Sequence, residues 1–362
     1  MKKKIILFVA CLLAAEMVTA QSLIDQDLQR FGRHTLIDGI NKYGNDVNEA
    51  GVVIMDVNTG NVIANVCIQK DKGTVKDNPN GNTEAIPSGI SRAVLYLAMM
   101  GTLYPNYVVD TGKGIYTDSI MGCTITDMTY SRGGFGSLTL NKALDLSDVG
   151  IIKAVEAAFS KNMARYGQAV RKTGIFFSDL STIEDDSEPD RYQPWSPCDI
   201  MGRSPYSLLQ QTSWVNMIAN GGDLVIRHNG NDSITPICKV NNKAGLENLS
   251  SAMFEAVEYG TGAKMRSKFC RVAGLVNVSE ADVLNYRSCF AAAFFPYDAP
   301  QYTIGLYVNK YGMPAGRVIA SKIAGQIIEY MVKEYLHLQE KRTILPFRVY
   351  SEEKGQYHPA EK

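Results

Sequence analysis

The chain has 362 residues, of which 45% are hydrophobic and 20% charged, an ordinary globular composition long enough for one large domain or two small ones. Lys and Arg together number 37, as do Asp and Glu, so a formal net charge of zero gives no electrostatic case for nucleic acid or an acidic membrane surface. Both are excluded as expected partners.

Met1-Lys2-Lys3-Lys4, the apolar run from Ile5 to Ala15 and Val18-Thr19-Ala20 before Gln21 are the parts of a secretory signal peptide. The run falls short of the roughly 20 apolar residues that span a bilayer. Cys11 lies inside it, which argues for cleavage near Ala20 rather than lipid anchoring. The mature chain is therefore expected in the periplasm or secreted, without a membrane anchor.

Apolar positions between Leu23 and Ile40 recur at helical spacing. Ala50 to Asp56 and Asn61 to Cys67 are β-branched runs separated by Val57-Asn58-Thr59-Gly60, which predicts a hairpin. Gln69 to Thr83 is polar and reads as a solvated loop, and Ser88 to Met100 as a buried helix capped by Ser88. Leu138 to Asn220 alternates helical patterns with irregular stretches such as Glu184 to Pro197. Phe269 to Val278, Ser288 to Phe295 and Tyr302 to Val308 read as strands, Gly316 to Tyr335 as a closing helix and Gln339 to Lys362 as a flexible charged tail. The order implies an α/β fold, an antiparallel sheet flanked by helices with an inserted, mainly helical subdomain.

Cys67, Cys123, Cys198, Cys238, Cys270 and Cys289 lack the close spacing of a metal or redox site and read mostly as buried apolar residues, with a Cys270 to Cys289 bridge left open. His34, His228, His337 and His358 are scattered and read as surface or packing residues. No metal or cofactor is expected.

Six stretches carry a family resemblance. They are the hairpin of Ala50 to Asp56 with Thr59 to Ala64; Ile86-Pro87-Ser88-Gly89-Ile90-Ser91-Arg92 with its apolar helix; and Ser137 to Leu144 leading into Ser147-Asp148-Val149. They continue with Ser204-Pro205-Tyr206-Ser207-Leu208-Leu209-Gln210; Ile218-Ala219-Asn220-Gly221-Gly222; and Gly260-Thr261-Gly262 with Val272-Ala273-Gly274. In this order they resemble the serine transpeptidase module of penicillin-binding proteins and β-lactamases over residues 48 to 336. The implied layout is a signal peptide (1–20), an N-terminal helix (21–48), a transpeptidase-like domain (49–338, helical insertion about 103–222) and a charged tail (339–362).

The resemblance implies three catalytic elements, Ser-x-x-Lys, Ser-x-Asn and Lys-Thr-Gly. At the first this chain has Gly89 and Arg92; glycine cannot form an acyl ester, and an arginine side chain keeps its proton and cannot serve as the base. At the second, Ser147 survives but Asp148 and Val149 follow it. At the third stand Leu275, Val276 and Asn277, with no cation for a substrate carboxylate. Lys172-Thr173-Gly174 follows Ser147 too soon to be the third element and reads as a helix end, and Ser351-Glu352-Glu353-Lys354 lies in the tail.

No catalytic residue is therefore expected. The resemblance points to a pseudoenzyme that binds a peptidoglycan peptide or a cell-wall synthesis protein. Two alternatives stay open. One is an active serine transpeptidase, carboxypeptidase or β-lactam-binding enzyme using Ser88 as fallback nucleophile, or Ser147, with help from Arg92 or Lys142. The other is an exported protein that keeps the fold for stability alone.

Overall fold

A computed structural model of the chain describes residues 24–359, except 43–45, 119–121, 161, 176–195, 203–204, 226–237, 280–281, 283, 313–315, 342–343, 345–347 and 352–355. The expected signal peptide, most of the Glu184 to Pro197 stretch, Ser204, His228 and Lys354 lie outside the described residues.

The first helix, α1 (Gln26–Asn41), begins where the Asp25 carboxylate accepts from the Asp27 and Leu28 N–H groups at 3.0 and 2.9 Å. Its buried Leu28, Leu36 and Ile40 form one apolar stripe. Strands β1 (Val47–Asp56) and β2 (Val62–Asp71) form the expected hairpin. The polar segment after it is not all loop. β2 runs on to Asp71, Lys72 and Gly73 turn the chain at positive φ (47° and 84°), and β3 (Thr74–Asp77) pairs back on it. Its polar composition is that of an exposed edge strand.

Helix α2 (Ser91–Met99), buried throughout, starts three residues later than expected, and Ser88 does not cap it. Ala85 to Pro87 pair with Pro205 to Ser207, which holds Pro87 extended. The cap position falls to Ile90, which has no side chain able to accept. Then follow α3 (Leu140–Leu146), α4 (Asp148–Phe159), α5 (Met163–Arg171), α6 (Pro197–Gly202), α7 (Leu208–Ala219) and α8 (Lys243–Tyr259). Ser207 and Gln210 make a reciprocal capping box at the start of α7, at 2.9 and 3.1 Å. Short ladders pair 108–110 with 137–139 and 115–118 with 123–126. After α5, Gly174 turns at φ 72°, as expected of a residue that ends a helix.

The chain closes with β4 (Ala273–Val278), β5 (Tyr286–Phe295), β6 (Tyr302–Tyr311) and α9 (Gly316–Glu334). The six strands form one antiparallel sheet in the order β4-β5-β6-β1-β2-β3, so the two halves of the chain meet at β6 and β1. Strand alternation divides the core. Val52, Ile54, Ala291 and Leu306 face α1 and α9 with Ile323 and Ile327, whereas Val53, Met55, Phe290 and Phe294 face α2 and α7 with Trp214.

The Cys289 thiol donates to the Arg287 carbonyl at 3.8 Å, and no Cys270 to Cys289 bridge is formed. His34 has a carboxylate neighbour, Asp38, at 3.3 Å on the exposed face of α1. The tail, expected to be flexible, pairs Arg348 to Ser351 with Gln356 to Pro359, and Leu338 packs on the sheet core.

Candidate functional site

Residues that the resemblance assigns to the three elements converge at the edge of the sheet beside β4. Arg92 lies in the first turn of α2, and its side chain, 4% exposed, reaches across to the strand. Arg92 Nη2 donates to the Val276 carbonyl and to Asn277 Oδ1, both at 3.0 Å. Its Nε faces Asp148 Oδ1 at 3.3 Å. One guanidinium thus ties together residues from the first, second and third elements. The sequence places no cation at the third element, but the fold delivers one there from α2.

Only the arginine end of this pair is buried; the Asp148 side chain is 29% exposed, so water screens part of the interaction and the pair is worth less than a fully buried one. The arrangement is not fully satisfied. Arg92 Nη1 and Asp148 Oδ1 are buried without a hydrogen-bond partner, and the 3.3 Å approach is an ion contact without hydrogen-bond geometry.

The nucleophile position is closed in a different way. A Cβ added at Gly89 would overlap the Phe290 ring on β5, so a serine there has no room. Phe290 is the register partner of Asn277, and the two side chains fill the same face of the sheet edge. Leu275, two residues before Asn277 and 7% exposed, extends the filling as part of the core. The Gly89 N–H donates to Gln211 Oε1 at 2.6 Å. Acyl transfer needs donors aimed at the developing oxyanion, and this one already has an acceptor.

At the second element, Ser147 is fully buried between α3 and α4. Its Oγ donates to Asp127 Oδ2 at 2.7 Å and accepts from the Gly150 N–H at 2.7 Å, which makes it the N-cap of α4. Asp127 Oδ1 also accepts from the Val149 N–H at 3.2 Å. Burial raises the Asp127 carboxyl above the ordinary carboxylate range, while the bonds from Ser147 and Val149 pull it back; Asp148 pushes it up further and Arg92 lowers it. Val149 points into a small apolar cluster with Ile125, Ile152 and Cys198.

Ser88 is 8% exposed, and its carbonyl accepts weakly from Ser91 Oγ at 3.4 Å. Ser91 Oγ also donates to the Ile200 carbonyl at 2.6 Å. Lys142 sits on α3 as a half-buried residue whose N–H reaches the capping Thr139 at 3.4 Å. Gly260-Thr261-Gly262, the approach to the third element, is anchored by Asp145, whose Oδ1 accepts from Thr261 N at 3.1 Å and Oγ1 at 2.5 Å.

Three residues of the site escaped the sequence reading. Phe290 precedes three alanines, Ala291 to Ala293, but Phe294 and Phe295 on the same strand are equally bulky, so its size does not single it out. Gln211 and Asp127 give no signal either, because their partners are far away in sequence.

No protein-family model and no curated protein matches the chain. Solved structures do. It is similar to a peptidoglycan glycosyltransferase from Burkholderia ambifaria (TM-score 0.67, 18% identity, covering 89% of this chain and 99% of that one). It is equally similar to the transpeptidase domain of Burkholderia pseudomallei penicillin-binding protein 3 (TM-score 0.67, 17% identity, 89% and 98%). Penicillin-binding protein 2B of Streptococcus pneumoniae R6 aligns with TM-score 0.68 at 16% identity over 88% of this chain and 60% of that one. The chain has the fold of the penicillin-binding-protein transpeptidase domain.

Proposed function

We propose that this chain is an exported pseudoenzyme of the penicillin-binding-protein fold, one that binds a peptidoglycan peptide or a cell-wall synthesis protein instead of performing acyl transfer. The observation that carries this reading is the Arg92 lock, one guanidinium bonded to Val276 and Asn277 and paired with Asp148. Phe290 against Gly89 supports it, since the site lacks both a nucleophile and the space for one. With the sheet edge filled, binding falls to the outer surface. Export rests on the composition of the first twenty residues; among the described residues, no helix is long and apolar enough to cross a membrane.

A fluorescent penicillin tests the reading. No covalent band is expected on the purified protein. A band that disappears in Ser88→Ala would establish a rearranged serine enzyme and sink the proposal. Reversible capture of muropeptides or of an envelope protein by the immobilised chain is the expected positive result, and its absence leaves only a structural role. A mature N-terminus at Gln21 checks export.

A further inference from the structure

Cys123 and Cys198 are far apart in sequence and meet the same small apolar cluster in the fold. Cys198 is 1% exposed and belongs to the apolar cluster of Ile125, Val149 and Ile152, against which Cys123, Tyr116 and Met201 pack. Two periodicities orient the pair. On the short strand Cys123–Thr126, Cys123 and the buried Ile125 alternate onto the same face, opposite Asp118 and Tyr116. On α6, Cys198 and Met201 are three residues apart, hence on one helix face, and both meet this cluster. The Cα atoms of the two elements approach within 8 Å. Both thiols are free in the reduced chain, and a disulfide needs about 4.4–6.8 Å between Cα atoms, which the six-residue helix must reach by moving against the strand.

We propose that Cys123 and Cys198 form a disulfide in the oxidising compartment to which the chain is exported. The inference rests on the export reading for its oxidant, a protein or small-molecule disulfide. The half-buried Cys123 attacks that disulfide as its thiolate, forming a mixed disulfide and releasing one carrier thiol. The Cys198 thiolate then attacks Cys123 Sγ and releases the second carrier thiol. Two protein thiols are oxidised, one carrier disulfide is reduced, and the two protons end on the carrier sulfurs.

The bridge would staple α6 to the ladder that runs directly into Asp127. Asp127 holds Ser147 and Val149 on either side of Asp148, so the staple braces the wall of the Arg92 lock.

The test compares mature protein from the cell envelope with purified reduced protein exposed to oxidised glutathione. Non-reducing digestion and mass spectrometry are expected to show a peptide linking Cys123 and Cys198, two hydrogens lighter than its reduced halves. Reduction, or Cys123→Ser, is expected to lower Tm by about 5 °C, as for removal of a long-loop cross-link. If glutathione leaves both thiols open to alkylation, or joins another pair, the proposal is wrong. A chain that keeps Met1 in vivo yet bridges under glutathione defeats the export reading alone.

Discussion

Two buried polar side chains reach into this sheet from opposite halves, and they do so with different chemistry. At the hairpin half, Asn82 is fully buried and its Nδ2 donates to the Val66 carbonyl at 2.9 Å, the Val52 carbonyl at 3.1 Å and Asn65 Oδ1 at 2.7 Å. At the edge half, Arg92 does the same to Val276 and Asn277. Each leaves one polar atom unpaired, Asn82 Oδ1 and Arg92 Nη1. A neutral amide pays a modest desolvation penalty, whereas a guanidinium in apolar surroundings needs a counter-ion, which Asp148 supplies. Asn82 therefore closes its half through hydrogen bonds between neutral groups, and Arg92 closes the edge half by charge. The ion pair of the edge half joins α2 to the start of α4.

The largest expected effect comes from breaking the charged closure. Arg92→Ala is expected to lower the unfolding free energy by about 3–5 kcal/mol, read from urea denaturation, because the buried Val276 carbonyl and Asn277 Oδ1 lose a charged donor and Asp148 loses its counter-ion. Asn82→Ala, which strands acceptors without stranding a charge, is expected to cost about 1–3 kcal/mol. An equal loss at the two sites would erase the distinction between the halves. Comparable in size is the packing of Phe290 against Gly89. Phe290→Ala is expected to cost about 3–5 kcal/mol and Gly89→Ser about 1–3 kcal/mol. The two sites touch, so the cycle should be non-additive, with Gly89→Ser milder once the ring is gone. Additive losses would show that the ring does not exclude a serine.

How much of this was legible in the sequence follows the same division. The hairpin, the buried α2 and the strands of the second half are set by alternation and apolar runs, signals that act over a few residues. The lock itself was not legible, because the meeting of Arg92 with Asn277 is a product of chain topology. The same holds for Gln211 on Gly89 and Asp127 on Ser147. Ser88 was misread as a cap because a serine before an apolar run is a sound local signal, and the pairing of Pro87 with Pro205 overrode it.

Smaller effects test local closure within each half. Ser147→Ala removes both the N-cap of α4 and a donor to buried Asp127, and is expected to cost about 1–2 kcal/mol. Ser207→Ala, a cap with no such carboxylate attached, is expected to cost about 1 kcal/mol. A larger loss at Ser207 would mean that the buried carboxylate adds nothing to the cap.

The mildest test concerns Cys67 in the hairpin half. Burial pushes its thiol from about 9 up to about 12; the bond with Tyr307 offsets this in part, and nearby Glu49 adds to it. The folded chain keeps a proton that the unfolded chain releases once the pH passes 9. This contribution to stability is therefore complete below pH 9 and is lost as the pH climbs toward 12. Native Cys67 is expected to resist iodoacetamide at pH 8 and to react on unfolding, since the thiolate is the nucleophile. Rapid native-state alkylation would show that the hairpin half opens to solvent around Cys67 despite its burial.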